Sequence, residues 1–169
     1  NDKMSKSKGN VMYADDLARH FGVDGVRFYV LSEMPYAQDG TISYENMVSR
    51  YNSELANTLG NLVNRSVAMV NKYFDGEIFP CGELEEFDRE LRKTAETAVK
   101  AYEGHMNAYK VADAISDIWE LVRRSNKYID ETMPWSLAKS PDGKERLKTV
   151  LYHLVETIRI LAILLSPIM

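Results

Sequence analysis

From Tyr44 to Phe74 the sequence holds a single glycine and no proline. Over the same stretch Met47, Tyr51, Leu55, Leu59, Leu62, Val63, Val70 and Phe74 recur mostly at steps of three and four. Apolar spacing of this kind, kept up over about eight turns, puts one stripe on a long helix and leaves little room for any other local structure. Ser43 stands where an N-cap hydroxyl can accept from an orphan amide, and Glu45 falls in the first turn, where the helix dipole favours a negative charge. Asp75-Gly76 supplies the stop.

The same periodicity continues down the chain. Phe87, Leu91, Ala95, Ala98 and Tyr102 form a second stripe. Val111, Ile115, Ile118, Trp119 and Val122 form a third, which assigns Trp119 to a core. Leu147, Val150, Leu151, Leu154, Ile158, Leu161 and Leu165 form a fourth. The connections, marked by Phe79-Pro80-Cys81-Gly82, Gly104 and Met133-Pro134, are short or moderate, so the four helices are expected to pack as antiparallel neighbours. Before Ser43 the texture differs, because turn residues are dense. A short helix over Asp15 to His20 is expected to end at Gly22, a second to be capped by Asp24 and run through Val26, Phe28 and Leu31, and Thr41-Ile42-Ser43 to form a brief strand. The expected fold is therefore mainly α: an antiparallel helical bundle over 44–169, preceded by a small mixed linking module over 1–43.

Composition narrows the function classes. At 169 residues, 45% of them apolar, the chain can bury roughly 70% of its unfolded surface, so it needs no disulfide or metal staple. It has one cysteine, Cys81, which excludes an internal disulfide and a cysteine-cluster zinc site and suits a reducing, cytoplasmic setting. No apolar run approaches the roughly 18 residues a membrane span needs, so neither a membrane partner nor a leader is expected. The start inside a Lys/Ser-rich loop and the stop on Pro167-Ile168-Met169 read as cuts within a longer chain. The net charge of −4 argues against a long phosphate track and against DNA. The whole acidic excess, however, lies within 77–109, so the segments on either side are close to neutral.

Chemistry concentrates at the start and on two later helices. Lys3-Met4-Ser5-Lys6-Ser7, followed by Lys8-Gly9-Asn10, forms a loop rich in ammonium groups and hydroxyls, a set suited to following a polyphosphate through a reaction. Asn61 and Arg65 lie four apart on one helix face, turned away from Leu55, Leu59, Leu62 and Val70, with Glu54 and Lys72 expected nearby. Arginine offers a planar fork of donors and asparagine both a donor and an acceptor, which suits the edge of an unpaired base. The plain alternative ties the pair to each other or to Glu54. Trp135, beside Pro134, either plugs a core edge or serves as a stacking platform. Arg123, Arg124 and Lys127 are candidates for backbone contacts that position an RNA without reading it. His20, His105 and His153 have no carboxylate or cysteine partner at ligand spacing and read as structural, and no metal site is expected.

Lys3-Met4-Ser5-Lys6-Ser7 matches letter for letter the signature loop of the class I aminoacyl-tRNA synthetases. The stretch Asn52 to Arg65 and the later Pro134-Trp135 resemble the anticodon-reading elements of the methionyl branch of that family. The resemblance covers essentially the whole chain. It implies that Lys3, Met4, Ser5, Lys6 and Ser7 bind ATP, used with Mg2+, and that Lys3 and Lys6 are catalytic in stabilising charge on the phosphates. It also implies that Asn61 and Arg65 contact the first anticodon base and that Trp135 stacks beneath it. The partner implied is a tRNA with the methionine anticodon. Methionine and ATP would serve only the full-length ligase, which activates the amino acid and esterifies it to that tRNA. The family's His-x-Gly-His motif and nucleotide-binding sheet are absent here, so these residues alone are expected to be inactive. The competing readings are the corresponding region of a cysteinyl or leucyl enzyme, disfavoured by the Asn61, Arg65 and Trp135 combination, and a helical protein-interaction module without RNA.

Overall fold

The structure, a computed structural model, describes residues 4–34 and 40–169. Helix α1 covers Ala14–Glu33 and is broken at Gly22, whose φ of 73° no helical residue adopts. The break falls where the sequence predicts it, but Gly22 itself occupies the cap position. Asp24 sits inside the next turn, where its charge still opposes the helix dipole. Helix α2 (Tyr44–Arg50) runs without interruption through a widened segment, Tyr51–Gly60, into α3 (Asn61–Phe74). Then follow α4 (Glu86–Asn107), α5 (Val111–Thr132), the short α6 (Pro134–Leu137) and α7 (Lys144–Leu165). The described residues form no strand. The one expected at 41–43 is replaced by a cap, the Ser43 hydroxyl accepting from the Asn46 amide at 3.1 Å.

The widened segment changes the first stripe. Between Tyr51 and Gly60 the helix takes the i→i+5 pattern, and the Thr58 hydroxyl donates to the Ser53 carbonyl five residues back. A Cβ at Gly60 would lie 3.0 Å from the Leu55 carbonyl oxygen, a close approach that suits glycine. A stretch with more residues per turn rotates everything after it, so a stripe drawn at 3.6 cannot stay inward across the whole helix. Met47, Leu62, Val70 and Phe74 are buried, Leu55 and Leu59 half-buried, and Tyr51 and Val63 exposed.

Helix α5 is the central element, packed on α4, α7 and α1. Ile115, Ile118, Trp119 and Val122 are all buried. On α4 Leu91, Ala95, Ala98 and Tyr102 point inward as expected, but Phe87 is exposed and Asp88 is fully buried in its place. Asp88 first closes a capping box with Glu85, accepting from the Glu85 amide at 2.8 Å. It then accepts from Arg146 on α7 at 2.6 and 2.9 Å and from the Tyr128 hydroxyl on α5 at 2.5 Å. Burial pushes the Asp88 carboxyl up, but Arg146, Tyr128 and the Glu85 amide together hold it below its ordinary value. One carboxylate thus joins three helices.

The first segment joins the same core. Phe28 of α1 stacks on Trp119 with ring centroids 4.6 Å apart. Arg27 donates to the carbonyls of Ile168 and Pro167, each at 2.9 Å. A smaller cluster of Leu17, Tyr29 and Met47 lies beside it. There the Tyr29 hydroxyl accepts from Asn46 at 3.0 Å and donates to the Thr41 carbonyl at 3.3 Å.

Candidate nucleic-acid interface

Three elements far apart in sequence converge on one surface. Arg65 lies on α3, one turn after Asn61, and α5 delivers Asp130 to it. The Arg65 guanidinium donates to the Asp130 carboxylate at 3.1 Å. The same guanidinium lies over the Trp135 ring, 6.0 Å from its centroid. At that distance a cation over an indole face is attracted by about 0.5–1 kcal/mol at an exposed site.

The local sequence explains why Trp135 arrives there. Helix α5 ends at Met133, which takes a left-handed conformation with φ 43°, uncommon for a residue with a long side chain. Proline then starts α6, as its fixed φ and missing amide favour. The turn buries Pro134 and leaves Trp135 39% exposed, too open for a core plug. The bend is held by the Ser136 amide donating to the Met133 carbonyl at 2.8 Å.

Of the residues expected from sequence, Arg65 and Trp135 meet. Asn61 is exposed one turn from Arg65, and its carboxamide makes no hydrogen bond to any described residue. Glu54 is not part of this surface. It accepts from Arg50 at 3.3 Å, because the widened segment between it and Asn61 turns it elsewhere. Lys72 lies over Tyr73, 5.4 Å from its ring centroid. Arg124, a candidate for backbone contact, is instead an internal clasp, donating to Glu90 on α4 and Glu131 at 2.9 and 2.8 Å. Arg123 is exposed, and Lys127 pairs loosely with Glu131 at 3.3 Å.

Sequence reasoning missed three contributors. Asp130 shows no signal beyond being a charge before the α5 terminus. Asn126 donates to the Thr58 carbonyl at 3.0 Å, which ties α5 to the turn just ahead of Asn61. Met133 carries no turn signature. The histidines also gain partners that spacing did not show: His105 meets Asp117 at 2.6 Å and His153 meets Cys81 at 3.5 Å.

At the chain start, Lys3 lies outside the described residues, as does the Lys6 side chain. The remaining loop closes on itself. Lys6–Lys8 forms a single tight turn, the Ser5 and Ser7 hydroxyls lie 2.7 Å apart, and the Ser5 amide donates to the Asn10 carboxamide oxygen at 2.8 Å.

Two family models match the chain. Residues 1–67 match the class I tRNA synthetases (M), and residues 79–169 match the anticodon binding domain of methionyl tRNA ligase. The methionine–tRNA ligase of Bacillus subtilis is 52% identical over 98% of this chain, and that of Lactiplantibacillus plantarum 47% identical over 99%. The chain spans about a quarter of the length of these curated relatives, 25% of each. Among solved structures, Mycobacterium tuberculosis methionyl-tRNA synthetase in complex with methionyl-adenylate superposes with a TM-score of 0.94 at 41% identity, over 98% of this chain and 33% of that one. The helical bundle, the matched anticodon-binding model over more than half of the residues and these similarities agree: the chain belongs to the methionyl-tRNA synthetase family.

Proposed function

We propose that this chain reads the anticodon of a tRNA for methionine, with Arg65 and Asn61 on the edge of the first anticodon base and Trp135 stacked beneath it. The observation that carries the reading is the convergence of an arginine fork and a part-exposed indole from α3 and α6, with an uncommitted carboxamide one turn away. Unpaired bases are recognised by this combination of stacking and edge hydrogen bonds. Arg123 and Lys127 on α5 are placed to meet the RNA backbone. Helix α4 packs on α5 and α7, most of the acidic excess lies in the approach to it at Glu77, Glu83 and Glu85, and we assign this helix and its approach to the side away from the RNA.

In the whole enzyme, residues 1–43 form the segment between the nucleotide-binding domain and the bundle at 44–169. There Lys3 and Lys6 stabilise charge on the ATP phosphates while methionine displaces pyrophosphate. The seryl hydroxyls and the Met4-Ser5 backbone line the same loop. Mg2+ would accompany the nucleotide, as a counter-charge to its phosphates. The setting that fits is the cytoplasm. The deciding experiment titrates the chain with an RNA hairpin bearing the methionine anticodon and with one altered at its first base. Tighter binding of the first supports the reading. Equal affinity, or none for either, overturns it in favour of another synthetase's region or a protein-binding bundle.

A further inference from the structure

A cavity of about 620 Å³ opens between α4 and α7, within the size range of small-molecule sites. Its apolar lining is formed by Leu91, Ala95 and Val99 on one side and Ile160 on the other. It is lined by Cys81 and His153, and the Cys81 Sγ lies 3.5 Å from the His153 Nε2. The loop carrying Cys81 is pinned to α7 by the Gly82 amide donating to the Thr149 hydroxyl at 3.0 Å. The thiol has a second acceptor in the Gly82 carbonyl at 3.3 Å. His153 is only 5% exposed.

We propose that this cavity is a thiol-modification site: Cys81 is its nucleophile, His153 the base that takes the thiol proton, and a low-molecular-weight disulfide with amino-acid ends its ligand. A nucleophile and a base within loose hydrogen-bond reach, at the wall of a cavity of ligand size, is the pattern of an activated thiol. Charges of both signs line the cavity, Arg92, Glu96, Lys100 and Glu103 on α4 and Glu156 on α7. Alternating charges of this kind suit a zwitterion better than a simple anion or cation. The thiol gives its proton to Nε2, and Sγ attacks one sulfur of the disulfide. A new S–S bond forms as the old one breaks, and the departing thiolate leaves as a thiol with the proton from His153. One disulfide is consumed and one is formed, so the ligand is itself the oxidant.

The base must be neutral to accept. Burial lowers the pKa of His153, and the groups around it divide: Asp88 on α4 and Glu156 on α7 favour its protonation, while Arg92 on α4 and Arg146 on α7 oppose it. It is therefore free to act at neutral pH and somewhat below.

Cys81 is the only cysteine, so adduct formation on the 169-residue chain reports this site alone. The chain is incubated with cystine and the mixed disulfide followed by intact mass. The expected rate at pH 7 is about a hundredfold above that of His153→Gln and of the chain unfolded in urea, the loss a general base at the low end of its range predicts. The rate should also change less than about threefold between about pH 6.5 and 8, where a free thiol gains nearly tenfold per unit. Val99→Phe narrows the cavity without touching the pair and should cost about tenfold, in keeping with a lost fit. A free-thiol pH profile, or an unchanged rate in folded His153→Gln, overturns the role of His153. An unchanged rate in Val99→Phe overturns the cavity. If His153→Gln does not fold, the pH profile and Val99→Phe decide.

Discussion

The Arg65 guanidinium lies over the indole of Trp135, 6.0 Å from the ring centroid, while one of its nitrogens donates to Asp130. The residues belong to three helices, and no local preference brings them together. The contact orients the arginine fork, so that on the proposed reading less side-chain freedom would remain to be lost on RNA binding. It also leaves Arg65 committed to a carboxylate that, on the proposed reading, a base edge would displace.

Replacing Trp135 with alanine should weaken binding of a methionine-anticodon hairpin by about 1–3 kcal/mol, the worth of one base–aromatic stack. Because the ring is part-exposed, thermal stability should fall far less than it does for a buried tryptophan. Calorimetric titration with melting of the same variant checks both. Unchanged RNA affinity would exclude Trp135 from the interface.

Asp130→Asn releases Arg65 and removes a negative charge from the surface proposed to meet RNA. The ion pair is exposed, with Asp130 66% open to solvent, so the folded state should lose less than about 1 kcal/mol. Hairpin affinity should rise several-fold, most strongly at low salt. A fall in affinity measured across a salt series would show instead that Asp130 orients Arg65 for binding.

Asp88→Asn removes the charge facing Arg146 and should cost about 3–5 kcal/mol of unfolding free energy, as breaking a buried pair does. The pH dependence follows from the sign of the shift. The Asp88 pKa is lowered on folding, so its contribution is present above the ordinary carboxylate value and is lost as pH falls through the folded one. His153, also lowered by burial, contributes above its ordinary value and begins to be lost below it, at higher pH. Urea titrations between about pH 7 and 3 should therefore show two stages of acid destabilisation. Asp88→Asn should flatten the lower stage, and persistence of both would contradict the assignment.

Gly60→Ala and Gly104→Ala form a matched pair. Both sites are helical, and alanine ordinarily gains about 0.8–1.0 kcal/mol over glycine in a helix interior. Nothing lies near a Cβ at Gly104, whereas at Gly60 the Leu55 carbonyl is 3.0 Å away. Gly104→Ala should raise the urea midpoint, and Gly60→Ala should leave it unchanged or lower it. Equal gains would mean that the widened turn gives way at no cost.

Sequence by itself determined what depends on near neighbours. Four apolar stripes placed the long helices and made Trp119 a core residue. Ser43 announced its cap, Gly22 its break, and a five-residue loop with a helical pair and a Pro-Trp step pointed to the family. These signals survive because hydrogen bonds within a helix and the side-chain period act over a few residues. Even there, the widened turn before Asn61 escaped notice, since a stripe drawn at one fixed period cannot register a local change in residues per turn. Tertiary structure alone decided the long-range pairings: Arg65 with Asp130, Arg146 with Asp88, Arg124 with Glu90, and His153 with Cys81. Each joins residues 34 to 72 positions apart. Which charge finds which partner across such a span depends on how helices cross and turn when their apolar faces are buried, and no local pattern carries that information. The stretch of helix bearing Asn61 and Arg65 was therefore legible in the sequence, whereas the surface that Arg65 makes with Asp130 and Trp135 exists only once α3, α5 and α6 have packed.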